Sequence, residues 1–460
     1  MLLRLVFSVA LLLCTCPWTA VTGTVFAGEL TFREAVAVVL EHNHELRALR
    51  SSAQAAQAGI GAARGWLLPR LTFEERFLRT TNPGYAFMTK LNQERIEAPD
   101  FNPARLNSPD PISDFQTSLT VEQPLYTRKG FIGLEMSRAD ARARQEEVLR
   151  KEEEVVFRLV QAVVSLRTVR AFAGAADQAV AEAREHARLA EIRHLNGLGQ
   201  YADVLRAATA RSEAEQRKIN AEKNVQVARR ALGLLLGREG DEDVREEIPL
   251  LPRRALEEHT RNALSRRDLV SAGIREENAR KNIKMAEAGY FPYIGVGGAY
   301  AWNDHSRPLG SEGNNWQVSA FLRWDLFDGG KREYERIKAK HEAVGAKEQT
   351  EALRKAAAFE VYEAYLGVDE ADRHVELARQ GLMSAEEGKR LVRIRYENGL
   401  SPLVDLLSVQ AGVEQARANL AAREGGGCLA AARLAFVSGT ILSDLQIDPR
   451  NDRQEGKERP

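Results

Sequence analysis

With 460 residues, 65 basic and 65 acidic side chains, and a 44% hydrophobic composition, the chain can build a large fold but has no positive excess to hold nucleic acid. Its cysteines, Cys14, Cys16 and Cys428, give no disulfide framework once a leader carrying the first two is removed. Beyond that leader no stretch offers eighteen uncharged apolar residues, because Arg158, Arg167, Arg170 and Arg433 interrupt the candidates, so a membrane-spanning form must use strands.

The amino terminus reads Met1-Leu2-Leu3-Arg4, an apolar run from Leu5 to Leu13, and Val25-Phe26-Ala27. This is a signal peptide over 1–27 with mature sequence from about Gly28. The competing reading is a lipoprotein acylated at Cys14 or Cys16, although neither follows a small residue. Cleavage removes Arg4 and no acidic group, leaving 64 basic against 65 acidic side chains.

A helical stretch closes at Trp66-Leu67-Leu68-Pro69, and a strand follows at about 70–80. Residues 81–114, with Pro83, Pro99, Pro103, Pro109 and Pro111, read as a long irregular connection on the extracellular side. The next strand, at about 115–125, sets Phe115, Thr117, Leu119 and Val121 against Gln116, Ser118, Thr120 and Glu122. From Gly130 to His194 no proline occurs, and Val148, Val155, Ala162 and Val169 repeat at seven between Leu159, Leu166 and Ala173. That is a coiled-coil seam on one helix about 90–100 Å long, with Gly174 as a candidate bend. Gly237 to Pro252 is acidic and turn-rich.

The second half repeats the first. Arg193-His194-Leu195-Asn196-Gly197-Leu198 with Asp203-Val204-Leu205 returns 202 positions later as Arg395-Tyr396-Glu397-Asn398-Gly399-Leu400 with Asp405-Leu406-Leu407. Strands at about 291–302 and 316–327 flank a shorter loop, 303–315, and Val361, Ala364, Val368, Ala371, Val375, Ala378, Leu382 and Ala385 step by three and four. The division is therefore a first repeat over 28–250, a second over 251–445 and a polar, disordered tail over 446–460. Ile294, Val296, Tyr300 and Trp302, with Trp316, Val318, Ala320, Leu322 and Trp324, make one apolar face with aromatic girdle residues, and Glu75 breaks the pattern of the first strand. Four strands do not close in lipid. Two copies would give eight strands and three would give twelve, the latter with room for a channel.

Taken together in this order, Leu30-Thr31-Phe32-Arg33-Glu34-Ala35, Pro69 and Pro292 at helix-to-strand junctions, Asp325-Leu326-Phe327-Asp328-Gly329-Gly330 and the Arg395 to Leu407 segment resemble a TolC-type outer membrane factor, over about Glu29 to Ile441. The resemblance implies a mostly α fold with a membrane β-barrel. It also implies a homotrimer in the outer membrane of a Gram-negative bacterium, with twelve strands in lipid and long helices forming a periplasmic α-barrel. The 237–252 segment would sit at its girdle. Implied partners are outer membrane lipid, a periplasmic adaptor protein and, through it, an inner-membrane pump; no cofactor is implied. The function implied is passive conduction of substrates to the exterior in tripartite efflux or type I secretion.

The same resemblance makes Asn196, Gly197, Leu198, Asn398, Gly399 and Leu400 adaptor-docking tips, and Asp405, Tyr396, Arg395 and Asp203 a periplasmic constriction. The residues alone leave plainer readings open: the glycines are helix stops, and Asp203 and Asp405 stabilise the starts of the helices that follow them. Ser408 stands where some members have a second aspartate. Two other classes compete. One is a periplasmic structural coiled-coil protein without channel activity, and the other an envelope hydrolase. The chain lacks His-Glu-x-x-His, Gly-x-Ser-x-Gly and the phosphate-binding Gly-Lys loop. His42 and His44 point to different helix faces, and Gly295 to Gly298 run into a strand.

Overall fold

The computed structural model describes residues 30–244 and 248–447. The expected leader, with Cys14 and Cys16, and nearly all of the expected tail lie outside them. In chain order the described elements are α1 (Phe32–His42), α2 (His44–Gly65), β1 (Arg70–Thr80), α3 (Pro83–Asn92), α4 (Pro103–Asn107), β2 (Ile112–Tyr126), α5 (Arg128–Leu195), α6 (Tyr201–Leu235), α7 (Leu256–Ala263), α8 (Arg267–Glu287), β3 (Tyr293–Asp304), β4 (Gly313–Arg323), α9 (Lys331–Glu397), α10 (Leu403–Val437) and α11 (Ile441–Asp444).

Side-chain caps start the first five helices. Thr31 Oγ1 accepts the Glu34 N–H at 3.2 Å while Glu34 Oε2 accepts the Thr31 N–H at 2.9 Å, a reciprocal cap on α1. Asn43 caps α2 through the Leu46 N–H at 3.1 Å and also donates to the Leu235 carbonyl at 3.0 Å, joining α2 to the end of α6. Thr127 caps α5. α5 has 68 residues and α9 has 67, each about 100 Å at 1.5 Å per residue. All eight seam residues of α9 are buried or half-buried, as the three-four stepping requires. The helix α5 continues unbroken through Gly174.

The main apolar core forms midway along the helices. Phe32, Val36 and Leu40 of α1, Leu46 of α2, Val155, Leu159 and Leu166 of α5, and Leu232 and Leu236 at the end of α6 meet Ile441 and Leu445 there. The connection after α6 returns to the same level: Val244 bridges Leu30, and Asp243 pairs with both Arg170 and Arg229. On the other side, Arg254 grips the buried Asp444 carboxylate with two bonds, at 2.6 and 3.0 Å, fixing α11 against the segment before α7.

The strands form one antiparallel sheet, ordered β1-β2-β3-β4. Register puts Phe73, Leu119, Tyr300 and Trp316 in one row and Leu71, Val121, Gly298 and Val318 in the next. Opposed residues share a face, so the apolar sets of all four strands coincide, with Arg76, Gln116, Asn303, Gln317 and Ser319 on the opposite face. Glu75 does lie on the apolar face, where its carboxylate accepts the Thr117 hydroxyl at 2.5 Å and the Leu309 N–H at 3.3 Å.

Three expectations need correction. The 81–114 connection is not irregular: α3, a turn of 3-10 helix at Ala98–Phe101 and α4 occupy much of it. Pro83 and Pro103 open helices there, since a first-turn proline gives up no intrahelical hydrogen bond. The last strand stops at Arg323, not Phe327, and Trp324 instead donates from Nε1 to the Tyr290 carbonyl at 3.1 Å. The second strand is longer than expected, reaching from Ile112 to Tyr126. No described helix is long and apolar enough to cross a membrane.

Replacing Arg254 with Ala is expected to free α11. It withdraws a bidentate cation from a carboxylate buried to 2% side-chain exposure, a loss worth about 3–5 kcal/mol. Local opening should become roughly 100-fold or more easier, read as faster amide hydrogen exchange over residues 441–447, with α1 protected as before. Unchanged exchange would show that apolar packing alone holds α11.

Candidate functional site

The hairpin α5/α6 and the hairpin α9/α10 end in the same turn. Gly197 and Gly399 have φ of 72° and 76°, a conformation in which an L side chain is strained. In the first, the Leu198 N–H donates to the Arg193 carbonyl at 2.8 Å and the Gly197 N–H to the His194 carbonyl at 2.9 Å; in the second, Leu400 donates to Arg395 at 2.8 Å and Gly399 to Tyr396 at 3.0 Å. Both are Schellman stops. Asn196 and Asn398 each return a side-chain amide to the carbonyl four residues back, at 2.8 Å. Leu198 and Leu400 remain 72% and 70% exposed, so each turn presents an apolar residue outward.

Between the hairpins the symmetry breaks. Tyr396 is 5% exposed and packs with Ala190, Ala207, Leu403 and Leu406. The Arg193 guanidinium lies 5.0 Å from its ring centroid and donates to its carbonyl at 3.0 Å. Burial pushes the Tyr396 phenol up, Arg193 opposes that, and Asp203 adds to it. Within the protomer the cation over this ring is Arg193, while Arg395 is exposed. The repeat contains both Arg193 and Arg395, and periodicity carries no information on which of them faces the ring.

The two acidic residues begin helices, as the plainer reading requires. Asp405 is in the first turn of α10, exposed, and accepts the Ser401 hydroxyl at 2.8 Å; Asp203 is in the first turn of α6 and pairs with Arg206 at 3.3 Å. Neither role excludes the other, because Asp405 keeps its carboxylate in solvent at the tip. Ser408 is exposed one turn on.

Above the tips a polar seam joins the hairpins. Lys389 binds both oxygens of Glu182 at 2.8 Å, Gln410 also donates to Glu182, Arg217 pairs with Glu414 at 3.3 Å, and Arg417 donates to Gln178 at 3.0 Å. His186 lines a groove of ≈ 480 Å³ here with Gln410 and Glu414. A different polar cluster, Asp304 at the end of β3 with His305 and Glu312 of the β3–β4 loop, is held by local bonds, with His305 Nδ1 2.5 Å from Glu312 Oε1 and Asp304 Oδ1 taking the Ser306 and Arg307 N–H groups.

The model of the family described as outer membrane efflux protein matches residues 36–238 and 261–440. The chain belongs to that family. Its sheet is accordingly an outer-membrane element and its long helices are periplasmic. Outer membrane protein TolC of Vibrio cholerae is 22% identical over 185 residues, 39% of this chain and 42% of that protein. Protein CyaE of Bordetella pertussis is 29% identical over 175 residues, 37% of each. The chain thus matches less than half the length of these curated relatives. The fold likeness is broader: the Campylobacter jejuni CmeC outer membrane channel superposes with a TM-score of 0.75 at 15% identity, over 93% of this chain and 89% of that one. A membrane protein from Pseudomonas aeruginosa gives 0.75 at 20% identity, over 89% and 90%.

His186 carries a pH prediction. Burial pushes its imidazole below the ordinary value, with Glu182 and Glu185 pulling upward and Lys389 and Arg393 pulling downward; Arg206, Glu213, Arg217 and Glu414 also face the groove. A histidine depressed in the folded state contributes stability above its unfolded pKa of about 6.5, and that contribution is lost as pH falls. Thermal melting between pH 8 and pH 5 should show a steeper acid-side drop for the native chain than for His186→Gln. Identical slopes would place the acid sensitivity elsewhere.

Proposed function

We propose that the chain is the outer-membrane exit duct of a tripartite efflux or type I secretion assembly, passively conducting substrates from periplasm to exterior. One observation carries the proposal: a sheet with one apolar and one polar face, both outer edges unpaired among the described residues, continues into two helices, α5 and α9, each about 100 Å long. In hydrocarbon each unpaired edge group costs several kcal/mol, so the β4 edge of one copy must meet the β1 edge of the next. Three copies give twelve strands around a polar bore. A soluble coiled-coil rod would instead expose Leu71, Phe73, Trp316 and Val318 to water with nothing gained.

At the periplasmic end, Asn196, Gly197, Leu198, Asn398, Gly399 and Leu400 form the surface that meets an adaptor protein, which links the duct to an inner-membrane pump. Three copies of Asp405 and Asp203 would ring the mouth and attract cations, while Arg193 stacked on Tyr396 holds the two hairpins of a protomer together. Opening the mouth then requires these contacts to separate.

Negative-stain electron microscopy of the mature protein, purified in detergent from outer membranes, is expected to show three-fold particles with a tube well over ~100 Å long. Unsymmetrical rods, soluble without detergent, would sink the duct. In planar bilayers Arg193→Ala should raise single-channel conductance severalfold, and Asp405→Ala should weaken trivalent-cation block about tenfold. If Asp405→Ala leaves block unchanged, its role is confined to the start of α10. Replacing both Gly399 and Leu400 with Glu should abolish export in cells while trimers persist; normal export would remove the tips from the docking surface.

A further inference from the structure

We propose that the β1–β2 connection is a lid folded into the bore, and that the apolar stripe of α3 meets the same stripe on the other two copies to close the outer mouth. The inference rests on the trimeric reading above. What carries it is the face of the sheet on which the connection lies. Asp114 has the same parity on β2 as Gln116, and Gln116 pairs with Asn303, so Asp114 and Asn303 belong to the polar face. Gln93, buried just beyond α3, donates to Asp114 Oδ1 at 2.8 Å and to the Ser113 carbonyl at 2.9 Å, and Asn303 donates to Asp114 Oδ2 at 2.9 Å. Gly313 pairs with Asn303 and shares that face; a Cβ there would stand 2.1 Å from the Asn92 carbonyl oxygen. The chain leaving α3 therefore rests on the polar face from β2 to β4, at the end opposite the long helices.

The connection is built to hold that position. Asn82 caps α3 at the Tyr85 N–H, and the helix ends on Glu94 in the left-handed region, with the Arg95 N–H returning to the Lys90 carbonyl at 3.0 Å. Lys90 pairs with Asp100 at 2.8 Å, and Phe87 meets Phe101 edge-on at 5.8 Å, which folds the following 3-10 turn back onto the helix. Ala86 and Thr89 are buried, whereas Tyr85, Met88 and Leu91, at spacings of three, are exposed together. They face away from the chain's own sheet.

Geometry selects the occupant of that stripe. Twelve strands about 4.8 Å apart and tilted about 40° make a ring roughly 24 Å across. A helix with its side chains is about 10–12 Å thick, so three such helices standing on the inner wall fill the ring. Each stripe then meets the other two at the axis, where burial of aromatic and aliphatic surface favours the closed mouth.

The test is disulfide trapping. Met88→Cys is introduced into the full mature chain carrying Cys428→Ser, and detergent-solubilised trimers are oxidised with copper phenanthroline. The expected product is a reducible species of twice the chain mass, absent from Val318→Cys on the lipid-facing side. Trimers by light scattering without the Met88→Cys product would overturn the lid and leave the duct reading standing; absence of trimers would overturn the duct reading itself. A product joining Met88→Cys to a different protein would overturn the self-contact. A second variant, with residues 83–107 replaced by a short Gly-Ser linker in the Arg193→Ala background, should conduct at least twofold more than Arg193→Ala alone. Equal conductance would show that the connection does not occlude the mouth.

Discussion

A peptide group in hydrocarbon has no water to bond, and that constraint organises the molecule. Within the sheet every strand satisfies its neighbour along the register, but β1 and β4 each leave one side open. A soluble protein can blunt such an edge with charges or bulges. Here the apolar face extends to both edges, through Leu71 and Phe73 on one side and Trp316 and Val318 on the other, so closure by further copies is the remaining solution. On the proposed reading the four strands are one part of a barrel wall, and the demand for further copies comes from the backbone rather than from any single contact.

The helical part meets the opposite demand, length in water. α5 and α9 extend far beyond one core, and their stability comes from many thin layers in which Val or Leu alternates with Ala. Such layers allow close approach but give little resistance to sliding. Directional contacts supply it at three levels: Arg254 on Asp444 and Asp243 between Arg170 and Arg229 beside the core, Lys389 on Glu182 further along, and Arg193 on Tyr396 at the tip. The tip contacts involve far fewer buried apolar side chains than the main core, so separation there disturbs less of the fold.

Much of this is legible in the sequence. Periodicity of seven and of two is a direct consequence of helix and strand geometry, and the alternation in three strands predicted a shared apolar face that the register realises. What escaped has identifiable reasons. Five prolines made 81–114 look structureless, yet two of them open helices, and what holds the segment to the sheet, Gln93 to Asp114 and Asn92 over Gly313, is a tertiary contact with no local signature. The alternation of the fourth strand continued past Arg323 into Trp324-Asp325-Leu326-Phe327, where the chain leaves the sheet for the Gly329-Gly330 turn. Family membership was legible as well, whereas the roles of Asp203 and Asp405 still rest on where their carboxylates sit.

The pairing of Arg193 with Tyr396 shows what a duplicated sequence conceals. The repeats offer Arg193-His194 and Arg395-Tyr396 at corresponding positions. In two identical environments each arginine would treat its own following ring alike. The hairpins are instead side by side, so α5 has a neighbour on the face where Tyr396 points, and the ring of the second repeat is buried against the first. The guanidinium that lies over it is the one carried across from the other hairpin. His194, the counterpart of Tyr396, turns to its own loop and approaches the Gly199 carbonyl at 3.2 Å through Nδ1. A symmetric sequence thus yields, at the tips, an inter-hairpin contact of Arg193 on Tyr396 with no counterpart at His194. On the trimeric reading proposed above, the seam within a protomer is the one the aromatic ring holds.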